Sequence, residues 1–357
     1  MVHKEAAICK IQLEHGLTEK CVLTSFVSPN SYTGEDVIEI SCHGNPLIVE
    51  LIISKLNSLG CRNAEPGEFT MRSYLNEKVS LVEAETIADL ISAETYEKLK
   101  TINKSLSGEF EKEINKTISK LKKIRTKIEG EIDFNDQSIN INIVSLKSEL
   151  KDFNLFFKDF TTKIEAAVLL NEGVKVVITG PENAGKSTLM NILAEENVSI
   201  VSEIPGTTRD LLSKSIKIQG FVFDFIDTAG LSDEQHGKIE KIGIDRAKTA
   251  LSQANIIIEL IDPENMNYKA QYPRGSKVLK AVNKLDLFEG SAENKICISA
   301  KYNKNISELK DSLVSAAFKS KNKTLEGFSA RTRHLDLINK CYAETIAAEK
   351  LCFEDSV

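Results

Sequence analysis

The eight residues Gly180-Pro181-Glu182-Asn183-Ala184-Gly185-Lys186-Ser187 form a G-x-x-x-x-G-K-[ST] phosphate loop. Its chemistry is anion capture. The glycines permit a tight turn whose successive N–H groups point at phosphate oxygens, and a helix N-terminus adds partial positive charge. Lys186 is placed to reach the β- and γ-phosphates, and the Ser187 hydroxyl to ligate Mg²⁺. The motif needs a strand before it and a helix after it. Both are readable: Val174, Val176, Val177 and Ile178 are apolar and β-branched, and residues 188–196 have a helical pattern.

Four further pieces come in the order a guanine-nucleotide site needs. Thr207 and Thr208 stand where a switch threonine reaches the metal. Asp227, Thr228, Ala229 and Gly230 end the apolar run 221–226; the Asp suits a water-mediated metal contact and the Gly N–H suits the γ-phosphate. Asn283, Lys284, Leu285 and Asp286 end the run 278–282. A carboxylate in such an N-K-x-D sequence accepts from the guanine N1 and N2 donors, a pair that adenine does not present. Ser299, Ala300 and Lys301 follow the run 296–298 and suit a backbone contact to the guanine O6. The expected GTP-binding set is Asn183, Ala184, Gly185, Lys186, Ser187, Thr188, Asp227, Gly230, Asn283, Lys284, Asp286, Ser299 and Ala300.

Hydrolysis needs a group that orients water and a cation for the developing charge. Leu231 occupies the position where Ras-like enzymes carry a glutamine, and an apolar side chain orients no water. Asn183, inside the phosphate loop, is a candidate ligand for a monovalent cation, or alternatively a loop residue bonding its own backbone. Glu240, in the charged stretch after Gly230, is a candidate for positioning water, or alternatively a solvated helix-face charge. Lys186 and Glu240 are the candidate catalytic residues.

The elements that must position these groups can be read from periodicity. Residues 171–322 alternate strand and helix, with a hairpin over 216–226 around Gln219 and Gly220. This reads as a Ras-like P-loop GTPase domain: a parallel α/β sheet with one antiparallel edge. Apolar residues between 82 and 132, and again between 146 and 168, recur in three- and four-residue steps, which is helical; residues 335–346 return to that pattern. The nucleotide domain is therefore expected to be inserted in an all-helical domain made of 81–170 and 323–357. Residues 1–80 read as a small α+β domain with strands over 8–13, 21–27 and 37–41, and a helix over 46–59 opened by Pro46. The fold class is thus α/β and α+β, multidomain.

The 357 residues carry 46 Lys and Arg against 52 Asp and Glu, a net charge of −6, so no global basic field draws the chain to nucleic acid. Without Trp and with 6% aromatics there is little material for a base-stacking platform. Seven cysteines show no metal spacing and read as reduced thiols of a cytoplasmic protein, or of the mitochondrial matrix in a eukaryote. Cys42 and Cys297 are expected in the core. No apolar run of eighteen exists, so no spanning helix and no membrane partner are expected, and with the acidic balance DNA is not an expected partner either.

The chain resembles the MnmE (TrmE) family, GTPases of tRNA wobble-uridine modification. Beyond the nucleotide motifs, the resemblance rests on Pro29-Asn30-Ser31-Tyr32-Thr33-Gly34-Glu35-Asp36, His43-Gly44, and Ala64-Glu65-Pro66-Gly67-Glu68-Phe69-Thr70-Met71-Arg72. Leu75-Asn76-Glu77-Lys78, Ala84-Glu85-Thr86-Ile87-Ala88-Asp89-Leu90-Ile91, Ile132-Asp133-Phe134 and Ile239-Glu240-Lys241-Ile242-Gly243-Ile244 also carry it. The resemblance implies a K⁺ ion held by Asn183 and by the loop containing Ser202, Ile204 and Thr207, standing where an arginine finger would. It implies Mg²⁺ on Ser187, Thr208 and Asp227, and a water-orienting role for Glu240. It implies a homodimer, a one-carbon tetrahydrofolate in the N-terminal domain, an MnmG-type FAD partner, and tRNA engaged through that complex. Arg72 and Lys78, with Glu68, are the candidate folate-pocket residues. Family members begin several dozen residues earlier and end in a Cys-Ile-Gly-Lys type tail, so a chain short at both ends is expected. Ser232 replaces an arginine frequent in relatives. A GTP-binding switch or scaffold without modification activity is the alternative reading.

Overall fold

The structure, a computed structural model, describes residues 4–133, 143–195, 213–227, 248–287, 295–318 and 327–354. The chain divides into two compact units, Met1–Ile91 and Ser92–Val357.

The first unit is built on a three-stranded antiparallel meander, β1 (Ala6–Gln12), β2 (Thr18–Phe26) and β3 (Val37–Ser41). Helix α1 (Pro46–Ser58) comes next, its first turn set by Pro46 and capped by the Asn45 side chain, which accepts from the Leu47 N–H. Helices α2 (Glu68–Leu75) and α3 (Leu81–Ile91) complete the unit. Its apolar core is small: among the described residues only Leu13, Cys21 and Ile52 are buried hydrophobics.

The helical pattern that begins at residue 82 is broken twice. After α3 come α4 (Tyr96–Leu106) and α5 (Glu109–Asp133), both in the second unit. Thr95 caps α4, its Oγ1 accepting from the Lys98 N–H, and Gly108 takes φ +77° between α4 and α5. Helix α6 (Ile143–Glu172) runs into the sheet. The order in the six-stranded sheet is β5-β6-β4-β7-β8-β9. Its members are β4 (Val174–Thr179), β5 (Ser213–Ile218), β6 (Phe221–Asp227), β7 (Ile256–Ile261), β8 (Lys277–Val282) and β9 (Ile296–Cys297). Of these six, only β5 is antiparallel, as the hairpin signal requires; Gln219 and Gly220 both take positive φ in its two-residue turn. Strand β7 is buried at every position and β4 at four of six, and both are mainly apolar, their charged members being Glu259 and the exposed Lys175, as a parallel sheet demands. Helices α7 (Lys186–Glu195) and α8 (Ile306–Phe318) supply Leu189, Leu193, Leu309 and Leu313 to the core.

Helix α9 (Thr332–Glu354) returns to pack along α6. Phe157 meets Tyr342 edge-on at 5.7 Å, and Phe110 and Phe160 both contact Phe328. The helices before and after the sheet therefore meet, and the nucleotide domain is an insertion in a helical one.

Two cysteine expectations are corrected. Cys42 and Cys297 are half-buried rather than in the core. The reason is topological: among the described residues, β9 and β3, the strand just before Cys42, are edge strands with a neighbour on one side only. Among the described cysteines the buried thiol is Cys21, on central β2, with its Sγ 3.3 Å from that of Cys9 on β1. Burial, then the contact with Cys9, pushes the Cys21 thiol up to about 11.

Candidate functional site

The loops at the carboxyl ends of β4, β7 and β8 converge, which is where ligands bind in parallel sheets. The phosphate loop leaves β4 at Gly180, whose φ is +150°. A Cβ there would lie 1.8 Å from the Leu260 carbonyl oxygen on β7, so only glycine fits. Asn183 is exposed with φ +60°, a conformation that asparagine tolerates better than most residues. Ala184 is fully buried. Gly185 takes φ +92°, and a Cβ there would meet Asn283 Nδ2 at 2.3 Å. Helix α7 starts directly after, with Leu189 N–H donating to the Gly185 carbonyl. Lys186 Nζ donates to the carbonyls of Gly180 and Pro181, at 3.0 and 2.9 Å, so the loop holds its own lysine over the phosphate cradle. Ser187 and Thr188 lie in the first turn of α7, both exposed.

The N-K-x-D segment is tied to that loop from behind. Asn283 is 3% exposed and bridges two loops. Its Nδ2 donates to the Ala184 carbonyl at 2.8 Å, and its Oδ1 accepts from the Ala300 N–H at 2.9 Å. Asn283 thus spaces the phosphate loop from the base-side loop. Asp286 sits in the 3-10 turn Leu285–Leu287, and its Oδ1 accepts from Ser299 Oγ at 2.6 Å. That hydrogen bond, outweighing desolvation and helped by Lys301 and Lys304, holds the Asp286 carboxyl below the usual range, so it stands ready as an anionic acceptor. Ser299 is itself fully buried and exchanges backbone hydrogen bonds with Lys304. Its side chain orients the carboxylate.

Asp227 closes β6, with its backbone in register beside Ile178 of β4, which puts it next to the start of the phosphate loop. Ser202, Ile204, Thr207, Thr208, Gly230 and Glu240 lie outside the described residues, as does the side chain of Asp227. Sequence reading missed Asp262. This residue directly succeeds the fully buried β7, is 2% exposed, and binds Lys284 Nζ through Oδ2 at 3.0 Å. Its signal was an acid ending the run 256–261, which is otherwise broken only by Glu259.

The candidate folate residues lie in the first unit. Arg72 lines a cavity of about 350 Å³ with Thr33, Glu35, Arg62, Glu68 and Phe69. Its guanidinium is engaged, reaching Glu68 Oε1 at 2.7 Å and Glu35 Oε2 at 2.8 Å. Glu68, 7% exposed, also takes Arg62 at 2.6 Å and the Glu65 N–H. Arg62, then Arg72 and the Glu65 N–H, hold its carboxyl far below the carboxylate range. Lys78 is not on the cavity wall; its Nζ donates to the Pro29 carbonyl at 3.0 Å and its stem packs on Gly34. His43 bonds Glu19 through Nδ1 at 2.6 Å.

Two family models match: the MnmE helical domain over residues 81–355, and the GTP-binding protein TrmE N-terminus over residues 2–78. The tRNA modification GTPase MnmE of Nitrosomonas eutropha is 38% identical over 332 residues, 89% of this chain and 73% of its own length. The protein of that name from Methylococcus capsulatus is 38% identical over 331 residues with the same coverage. Among solved structures, the G domain of the T. maritima FeoB iron transporter matches 40% of this chain and 98% of its own, at 22% identity and a TM-score of 0.28, too low to carry weight. With a phosphate loop and a guanine-type pocket on one sheet edge, and relatives matched across both units, the chain belongs to the MnmE (TrmE) family of tRNA modification GTPases.

Proposed function

We propose that this chain is a K⁺-activated GTPase that hydrolyses GTP to GDP and, with an MnmG-type FAD partner, drives formation of a 5-(carboxymethyl)aminomethyl-type group on the wobble uridine of tRNA. The observation that carries the nucleotide half is the linked pocket: Lys186 poised over the phosphate loop, Asn283 clamping that loop, and Asp286 held by Ser299. The modification half comes from the family and from the names of the relatives.

Residues 1–80, 81–170, 171–322 and 323–357 remain the proposed division into folate, helical, nucleotide and helical parts. Ser187 and Asp227, with Thr208, fit Mg²⁺, being hard oxygen donors, the first two at neighbouring ends of α7 and β6. The ion supplies charge neutralisation on the β- and γ-oxygens. Asn183, exposed at the tip of the loop, is the K⁺ ligand in this reading, completed by Ser202, Ile204 and Thr207. Lys186 binds the phosphates and Glu240 orients the attacking water. Electrostatic help of this kind acts only when water is excluded, so a homodimer that closes over the site couples association to hydrolysis. A one-carbon tetrahydrofolate is assigned to the cavity at Arg72 on the family resemblance; Arg62 and Arg72, which are paired with Glu68 and Glu35 here, would have to turn to its carboxylates, and Lys78 braces the adjoining loop.

The test is GTP turnover in K⁺ against Na⁺ at equal ionic strength. The expected result is faster hydrolysis in K⁺, with Asn183→Ala abolishing the preference. Equal rates in the two salts, or a preference that survives Asn183→Ala, would contradict the cation assignment.

A further inference from the structure

We infer that Asp262 is a positioning residue of the guanine pocket, acting through Lys284 to set the affinity for the nucleotide. The inference rests on the GTP reading of the site.

Asp262 is the first residue after β7, and its carboxylate is fully partnered. Oδ1 accepts from the Asn265 N–H at 3.0 Å and from Asn265 Nδ2 at 2.8 Å, which starts the 3-10 turn Pro263–Asn265. Oδ2 accepts from Lys284 Nζ at 3.0 Å. A carboxylate this buried persists only when paired and hydrogen-bonded. Burial alone would push the Asp262 carboxyl up; the Lys284 and Asn265 bonds outweigh it and leave it lowered.

The partner lysine matters because its backbone begins the turn that carries Asp286. Lys284 takes φ +63°, an uncommon conformation for a residue with a side chain. Its carbonyl accepts from the Leu287 N–H at 2.9 Å, closing that turn. The preceding residue, Asn283, is pinned to the phosphate loop. The backbone of segment 283–286 is tied at Asn283 N–H to the Ile261 carbonyl (2.8 Å) and at Leu285 N–H to the Ile298 carbonyl (3.0 Å), and its side chains add Asn283 to Ala184 and Ala300, Asp286 to Ser299, and Lys284 to Asp262. Of these side-chain ties, the first two join loops that touch the nucleotide in this reading. The third reaches back to the end of β7, a strand buried along its whole length. Without it the Lys284 side chain loses its buried carboxylate partner while the backbone ties stay, so it is the placement of Lys284 against the base that must be ordered at the moment of binding, which lowers affinity.

The effect has a distinctive signature. Asp262 acts on the base side, so its loss should weaken GTP and GDP equally and leave the chemical step alone. The experiment is titration of the full chain and of Asp262→Asn with GTP and with GDP, alongside steady-state hydrolysis. An amide in place of the carboxylate withdraws the anionic acceptor from Lys284 and conserves shape. The expected result is a Kd raised about tenfold or more for both nucleotides, the scale of one charge-assisted hydrogen bond. KM should rise in parallel, with kcat at saturating GTP within about twofold of wild type. In a Lys284→Gln background, adding Asp262→Asn should alter Kd by less than about twofold, because the partner is already gone.

Wild-type affinity in a folded Asp262→Asn protein would overturn the inference. So would an undiminished loss in the Lys284→Gln background, since Asp262 would then act through the Asn265 turn. Should Asp262→Asn fail to fold, Asp262→Ser is read in its place; equal weakening of GTP and GDP that disappears in the Lys284→Gln background supports the inference, and unchanged binding contradicts it. If the wild-type chain binds neither nucleotide, the GTP reading itself falls, a result distinct from normal wild-type binding with an indifferent Asp262→Asn.

Discussion

The molecule holds two polar networks of similar size in opposite surroundings. Around the nucleotide site, Asn283, Ser299 and Asp262 are buried and each side chain bridges segments that come from different strands. In the first unit, Arg62, Arg72 and Glu35 are substantially exposed and converge around one buried carboxylate, Glu68. The first network sits on a sheet with an extensive apolar core, the second on a unit with three buried hydrophobics among its described residues. The contrast teaches that a similar set of hydrogen bonds fixes a geometry where water is absent, and only biases one where water competes.

Three substitutions probe that contrast. The largest effect is expected at the covered end. Gly180→Ala forces a methyl group against the Leu260 carbonyl, 1.8 Å from the ideal Cβ position. Either β4 and β7 separate or the phosphate loop shifts, and the cost should exceed about 3 kcal/mol in urea unfolding with GTP binding lost. A protein of wild-type stability would show that the loop does not press on β7 as described.

Next in size is Asn283→Ala. It strands the Ala184 carbonyl and the Ala300 N–H in a dry interior, at about 1–3 kcal/mol for each unsatisfied group. Denaturant midpoints should fall accordingly, and GTP affinity with them. A loss under about 0.5 kcal/mol would place water in that space and weaken the contrast between the networks.

The smallest effect is expected in the first unit and depends on pH. Glu68 is held well below the carboxylate range chiefly by Arg62 and Arg72. A carboxyl depressed in the folded state stabilises it above the unfolded value, near 4.5, and that contribution fades as pH falls toward the folded value. Thermal unfolding of the wild type should therefore weaken below about pH 4.5, while Glu68→Gln, less stable at pH 7, should show a flatter profile over that window. Parallel profiles would mean that the guanidinium contacts contribute nothing beyond geometry.

Legibility in the sequence also divides along physical lines. The phosphate loop, the hairpin at Gln219 and Gly220, and the apolar strands announce themselves because each motif is contiguous and its physics is local. The insertion of the sheet in a helical domain was legible as two separated helical patterns, and α9 packs on α6 as that reading required. The breaks at Thr95 and Gly108 were hidden, because apolar spacing continues across them while capping chemistry, not periodicity, ends a helix. Asp262 showed only as an acid ending an apolar run, because its pairing with Lys284 is a contact across twenty-two residues. The surroundings of Arg72 were hidden likewise: an arginine that suits a carboxylate ligand already has Glu35 and Glu68 as partners, a fact of topology and not of spacing.

The central claim is that Asp286, oriented by Ser299, reads the base. Competition binding of GTP against xanthosine triphosphate, for the wild type and for Asp286→Asn, tests it directly. The carboxylate accepts from the guanine N1 and N2 donors, whereas an amide offers a donor to the carbonyl that xanthine carries instead of the amino group. The account predicts strong GTP preference in the wild type and reversal toward the xanthine nucleotide in Asp286→Asn. Unchanged GTP preference in that variant would contradict it.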